Sequence, residues 1–316
     1  LAYHRLWQVW QVAAIERGLS LVEEAAVMHG IRDVRCNDSE AQRAVVGTFG
    51  RVDFLPLARA SLSPVLGRWA NDQATVAAVI DGFGPAGRPR SVGDVSVLGR
   101  GVVVIDGALE HSVSQKLFAF CQQSTLYFDQ KAGHLGAYLN DGFASGLLLQ
   151  VARSFQHTLR RLLGPHSLTQ LWAYKYDSEV GNGIRVHADQ GAVSLNCWLT
   201  TDEANLRPEL GGLRIYYTES WSGNSSVDFR QSNQDFRLLQ AEIEDLASSG
   251  ELQILDVPHR ANRCLLFRSE LLHETGAVHF RSGYSNRRIN LTFMYGMAKL
   301  FSASPPTADA DGNRRH

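Results

Sequence analysis

Residues 185–200 read RVHADQGAVSLNCWLT. In an extended chain, side chains two positions apart point to one face. His187 and Asp189 therefore bring an imidazole and a carboxylate to one point. The strand that follows, AVSLNCWLT at 192–200, alternates. Ser194, Asn196 and Trp198 share one face, and Val193, Leu195, Cys197 and Leu199 the other. A third metal ligand is available in LLHET, where His273 lies just beyond the apolar strand Cys264–Phe267. Two imidazoles and one carboxylate on one face of an ion leave three coordination positions open. His29, His111, His157 and His166 fall in helix ends or turns and have no such partners.

A second polar face follows at RINLTF, residues 288–293. Arg288, Asn290 and Thr292 point one way, and Ile289, Leu291 and Phe293 the other. A cationic stripe inside a strand is costly unless something pairs with it. A dicarboxylate would, and arginine binds one bidentately where lysine acts as a point charge. Two strands that each carry one polar face predict a polar cavity inside a barrel.

Working outward, the chain is strand, turn, strand from Leu168: LTQLWAYKY (168–176), GGLRIYYT (211–218), NRCLLF (262–267) and RINLTFMYG (288–296). Such strands with few helices between them favour a sandwich or barrel over a doubly wound sheet. An insertion, Trp221 to Gly250, opens with the flexible SWSGNSS. It continues as a helix, Asn233–Ser249, with Phe236, Leu239, Ile243 and Leu246 on one stripe. Two readings stand: a surface excursion with no contact to substrate, or a lid that closes over the barrel mouth. Upstream, GVVVIDGAL from Gly101 reads as a buried strand and turn. Helices are expected at Ser112–Gln123 and at Ala144–Leu163, stopped by Gly164-Pro165. KAGHLGAYLNDGF (131–143) is neither a clean helix nor a clean strand; it reads as a structural loop, with a place at the substrate entrance as the alternative. Residues 1–81 read as a small all-helical region, 82–96 as a Gly- and Pro-rich linker, 97–300 as the main domain and 301–316 as a loose tail. The fold class is α+β.

Composition sets limits. Hydrophobic residues make up 44% and charged residues 20%, so a globular core forms and global disorder is excluded. Lys+Arg 31 against Asp+Glu 32 gives a net charge of -1, which argues against nucleic acid as the partner. No apolar run is long enough to span a bilayer. Cys36, Cys121, Cys197 and Cys264 show neither CxxC nor zinc-ribbon spacing. They are expected to be buried free thiols in a reducing compartment, and the chain is read as cytoplasmic.

HAD at 187–189, GGLRI at 211–215, NRCLLFRSELLHET at 262–275 and RRINLTF at 287–293 resemble the Fe(II)/2-oxoglutarate-dependent dioxygenases, the prolyl-hydroxylase-like branch in particular. The resemblance covers roughly residues 97–297. It implies a double-stranded β-helix (jelly-roll, cupin-like) core with helices from 111–163 packed on one sheet. It implies Fe(II) held by His187, Asp189 and His273, with 2-oxoglutarate and O2 as co-substrates. Arg288 would clamp the far carboxylate of 2-oxoglutarate, and Tyr176, Ser194, Asn196, Trp198 and Asn290 would line that pocket. Gly211 and Gly212 would let their strand turn inward past the metal, and Glu274 and Thr275 could orient His273. The interval from His273 to Arg288 is longer than the usual one in this branch, so Arg281 and Arg287 compete for the clamp. The strand register favours Arg288. RxNxTF also occurs in alkylated-nucleic-acid demethylases, which carry a further arginine where this chain has Met294. Related halogenases have Gly or Ala in place of Asp189, so the carboxylate points to hydroxylation or to a desaturating or ring-forming variant.

The implied activity is hydroxylation of an unactivated C–H bond of an amino acid, peptide or amino-acid-derived metabolite, with release of succinate and CO2. One alternative is a protein side-chain hydroxylase that grips its target with the N-terminal helices. The other is a non-catalytic metal or ligand sensor that kept the barrel. The expected partner is a small molecule or peptide, with neither nucleic acid nor membrane, and a homodimer is compatible with the chain.

Overall fold

The computed structural model describes residues 65–84, 87–131, 133–179, 183–218 and 236–297. The helical reading of 1–64, the tail beyond 297 and the SWSGNSS stretch lie outside these residues. After a 3-10 turn at Arg68–Asn71 comes the first α-helix, α1 (Gln73–Gly82), whose N-terminus is capped by the Asp72 carboxylate on the Ala74 amide at 3.0 Å. Strands β1 (Arg90–Val92), β2 (Val95–Gly99) and β3 (Val102–Ile105) follow. Then come α2 (His111–Gln123), β4 (Asp129–Lys131), β5 (His134–Tyr138), α3 (Gly146–Thr158) and the single turn α4 (Arg160–Leu163). The remaining elements are β6 (Leu168–Tyr176), β7 (Val193–Trp198), β8 (Leu213–Tyr217), α5 (Phe236–Ser248), β9 (Gln253–Val257), β10 (Cys264–Arg268), β11 (His273–Thr275) and β12 (Arg288–Tyr295).

The strands form two antiparallel sheets. The large one runs β1-β2-β3-β10-β7-β12-β6-β5-β4, and the small one β11-β8-β9. A bridge between His187 and His273 extends the small sheet past β11. In chain order, β6, the His187 segment, β7, β8, β9, β10, β11 and β12 alternate between the sheets, two at a time through the middle. This is the winding of a double-stranded β-helix, or jelly roll.

Alternation sorts the side chains of the large sheet. Leu171, Ala173, Leu195, Cys197, Leu266, Ile289, Leu291 and Phe293 face one way and share a buried core with α2 and α3. α3 contributes Leu148, Val151, Ala152 and Phe155, at the spacing that puts one helix stripe against a sheet. The other face looks toward the small sheet, where Trp198, Leu265 and Phe267 meet Leu213, Ile215 and Val257. Cross-strand register then aligns the polar positions. Arg288 lies opposite Tyr176, Asn290 between Tyr174 and Trp198, and Thr292 between Trp172 and Asn196. The predicted polar cavity is the gap between the sheets at these rows.

Three expectations change. The stretch read as a linker, 82–96, holds β1 and the start of β2, a hairpin at the edge of the large sheet. Gly93 serves the turn of that hairpin, with φ +55 between the two strands. Residues 131–143 contain β5, which pairs along β6 from His134↔Tyr176 to Tyr138↔Trp172. Gly136 and the aromatics hid that strand from a pattern search. Finally, Cys197 and Cys264 are joined in a disulfide, not free. They sit directly opposite in β7 and β10, Cα atoms 4.1 Å apart, a proximity that pairing creates across 67 residues of sequence. Cys121 is a buried free thiol, as expected, and burial pushes it up to about 12. Among the described residues, no helix is long and apolar enough to cross a membrane.

Candidate metal centre and its cavity

The three candidate ligands are fixed by backbone pairing. The His187 amide donates to the His273 carbonyl at 2.9 Å and the His273 amide returns to His187 at 2.8 Å. The Asp189 amide donates to Ser269 at 2.9 Å. Strand alternation turns Val186, Ala188 and Leu272 outward into a small apolar cluster with Tyr216 and Ile243 of α5. His187, Asp189 and His273 turn inward. One ligand atom from each lies within 4.8 Å of the others.

Hydrogen bonding sets the tautomers. His187 Nδ1 lies 2.7 Å from the Arg185 carbonyl, and His273 Nδ1 lies 2.8 Å from that of Leu271. A carbonyl only accepts, so each Nδ1 carries a proton, and in the neutral ring Nε2 is the nitrogen left with a lone pair. The two Nε2 atoms stand 3.8 and 3.7 Å from the Asp189 carboxylate. Burial, with His187 adding to it, lowers His273 to about 4, so its ring is neutral at pH 7, the form that binds a metal. His187 keeps 27% of its side chain exposed, which leaves the centre open on one side. Two imidazoles and a carboxylate suit a divalent first-row metal such as Fe(II).

The cavity beside this centre has a volume of about 330 Å³, including the space at its mouth. Arg288 is the cation in its lining, and it is 1% exposed. Its Nε donates to the Gly211 carbonyl, Nη1 to Asn290 Oδ1 at 3.0 Å and Nη2 to the Gly212 carbonyl at 3.4 Å. The guanidinium stands 4.6 Å above the Tyr176 ring. The glycine pair thus supplies two carbonyls to the arginine. Gly211 needs its φ of +80, and a side chain on Gly212 would run into the Val257 carbonyl. Among the described residues, no ion pair includes Arg288. The competing arginines point elsewhere: Arg287 pairs with Asp177 at 2.6 Å, and Arg281 is exposed.

Of the other residues singled out from sequence, Tyr176, Asn196 and Asn290 line the cavity. Asn196 Oδ1 accepts from Asn290 at 3.1 Å and from Thr292 at 2.5 Å, so the floor is a closed amide–hydroxyl network. Ser194 and Trp198 lie outside the lining. Ser194 donates to Asp189 at 2.6 Å, and Trp198 is buried behind Arg288. Thr275 does line the cavity and meets the Tyr176 hydroxyl at 3.2 Å. Glu274 instead accepts from Tyr216. Sequence reasoning missed Trp172 and Tyr174, although alternation along β6 places both on the face of Tyr176. Ile184 and Leu213 also line the cavity, and no pattern marks them. The segment 131–143 reaches the site indirectly. Tyr138 donates to Asp129 at 2.7 Å and touches the Tyr174 hydroxyl at 3.1 Å.

Fold and site together define a jelly-roll protein with a two-histidine, one-carboxylate centre facing a buried arginine-containing cavity. Similar solved structures include the non-heme alpha ketoglutarate dependent epimerase SnoN from nogalamycin biosynthesis. It is 15% identical, with 77% of this chain and 94% of that chain covered at a TM-score of 0.49. A prolyl hydroxylase from Trichoplax adhaerens, in complex with a hypoxia inducible factor peptide fragment, is 14% identical over 71% of this chain and 90% of that one, TM-score 0.41. HygX from Streptomyces hygroscopicus, with nickel, 2-oxoglutarate and hygromycin B bound, is 15% identical over 63% and 84%, TM-score 0.43. No protein-family model and no curated protein matches the chain.

Proposed function

We propose that this chain is an Fe(II)- and 2-oxoglutarate-dependent dioxygenase that hydroxylates an unactivated C–H bond of an amino acid, peptide or amino-acid-derived metabolite. One observation carries the reading. A fully buried arginine with no acidic partner among the described residues shares a cavity with an open His–Asp–His set. An unpaired buried cation is costly, and an anionic ligand would offset that cost. A dicarboxylate that chelates the metal at one end would meet the arginine at the other. A sensor has no need of both features.

The roles then follow from the residues. His187, Asp189 and His273 hold the ion. Bound iron supplies the O2 chemistry that couples decarboxylation of 2-oxoglutarate to oxidation of a C–H bond. Arg288 takes the distal carboxylate, its orientation set by Gly211, Gly212 and Asn290. Burial raises the pKa of Tyr176, which keeps its hydroxyl protonated as a donor beside that carboxylate. Asn196, Asn290 and Thr292 satisfy one another and give the floor a fixed shape. Trp172, Tyr174, Ile184 and Leu213 form the more apolar remaining wall. The amino-acid or peptide class rests on the resemblance to the prolyl-hydroxylase-like branch.

The test is Fe(II)-dependent conversion of 2-oxoglutarate to succinate by the wild-type chain and by His187→Ala. The variant is expected to retain its circular dichroism spectrum and lose succinate formation. Full activity in that variant would remove the centre from consideration.

A further inference from the structure

We propose that Ser194 and Ser269 are positioning residues, a buried two-serine relay that holds the Asp189 carboxylate in one orientation and reserves one of its oxygens for the metal. The proposal rests on the metal-centre reading above and extends it to residues that do not touch the ion.

The argument is a count of protons. Ser194 Oγ lies 2.6 Å from Asp189 Oδ2 and 2.8 Å from Ser269 Oγ. A serine hydroxyl has one proton to give, and an ionised carboxylate only accepts. Ser194 therefore gives its proton to Asp189 and must accept from Ser269. The donor order runs Ser269 to Ser194 to Asp189. Both serines are fully buried, so water does not compete for these bonds.

The backbone reinforces the arrangement. Ser269, just after β10, accepts the Asp189 amide at 2.9 Å and donates its own amide to Ala192 at 3.3 Å. One residue thus grips both the main chain and, through Ser194, the side chain of the ligand. Gly191 leaves the necessary room. A Cβ there would lie 2.9 Å from Ser269 Oγ and would run into Met294.

A hydrogen bond to a charged acceptor is short and strong. Among the described residues, Ser194 supplies the hydrogen bond to this carboxylate, and it goes to Oδ2. Oδ2 commits one lone pair to that bond, whereas Oδ1 keeps both for the ion; His187 Nε2 is 3.8 Å from Oδ1 and His273 Nε2 3.7 Å from Oδ2. One oxygen and two imidazoles leave three positions of an octahedral ion open. A carboxylate free to swing would chelate with both oxygens and close one of them.

The experiment uses the full chain and Co(II), titrated under the d–d absorption of the bound ion. Wild type is expected to bind and His187→Ala to fail, which establishes the centre. Against that background, Ser194→Ala should weaken Co(II) binding about 10–100-fold and change the shape of the d–d envelope. Ser269→Ala should weaken it less. The double variant should be no weaker than Ser194→Ala alone, because Ser269 acts through Ser194. Wild-type affinity in Ser194→Ala, or losses that multiply in the double variant, overturns the relay and leaves the centre standing. Absence of Co(II) binding by wild type overturns the centre, and the relay with it.

Discussion

Arg288 and Arg287 are neighbours in sequence with opposite environments. Arg288 is buried against two glycine carbonyls, an asparagine and a tyrosine ring, whereas Arg287 is paired with Asp177 and partly exposed. Alternation along β12 creates the difference. Arg288→Ala is therefore expected to raise the KM for 2-oxoglutarate at least tenfold, using about 1.5–3 kcal/mol for a hydrogen bond to a charged group. Arg287→Ala should change it little, since an exposed ion pair contributes about 0–1 kcal/mol to stability and nothing to the cavity. Steady-state succinate formation at varied 2-oxoglutarate distinguishes the two, and the reverse ranking would shift the strand register by one. At this scale much of the site was legible. HxD, the later His273 and the RxNxT stripe are local patterns, and strand period 2 turns them into a shared face. Ser194 was legible as inward-pointing, but its partner was not. That it meets Asp189 and Ser269 and not the cavity depends on how the chain turns at Gly191, which periodicity does not encode.

Helix α5 shows what an element adds. Its Ile243 shares a buried cluster with Tyr216 of β8 and with Val186, Ala188 and Leu272, which alternate with the candidate ligands. The insertion thus braces the outer side of the segments that carry His187, Asp189 and His273. Ile243→Ala opens a cavity there, at a cost of about 2 kcal/mol or more. Amide hydrogen exchange should then quicken in 183–189 and 271–275 while β7 and β12, inside the large sheet, keep their protection. Uniform exchange across all four segments would show that α5 is not coupled to the centre. The helix itself was readable from its 3.6 period and β7 and β12 from alternation, while β6, β8 and β10 were readable from their apolar, β-prone composition. Its docking partner was not, because an apolar stripe states that something is covered without stating what. β5 was missed for a different reason: Gly136 interrupts its pattern, and the strand exists because β6 offers an edge to pair with.

At the scale of the molecule, Cys197 and Cys264 link β7 and β10 on the core side of the large sheet. The opposite faces of these strands look toward the site. Asn196, next to Cys197, forms part of the cavity floor, and Ser269 follows directly after β10. Sequence spacing offered no sign of the bond, since proximity here arises only once β7 and β10 pair. A link across 67 residues restricts the unfolded chain, an effect worth about 2–4 kcal/mol. Both sulfurs are buried, so a reductant reaches them chiefly in unfolded molecules. Equilibrium denaturation with reductant should therefore give an unfolding free energy about 2–4 kcal/mol below that measured without it. The double variant Cys197→Ala/Cys264→Ala should lie near the reduced wild type and should no longer respond to reductant. Cys121→Ala should keep the full response, because that thiol is unpaired and packs beside Tyr127 in the helix-covered core. Mass spectrometry of unreduced peptides checks the bond directly. Wild-type curves that coincide with and without reductant would mean that β7 and β10 are held by packing and ladder hydrogen bonds alone.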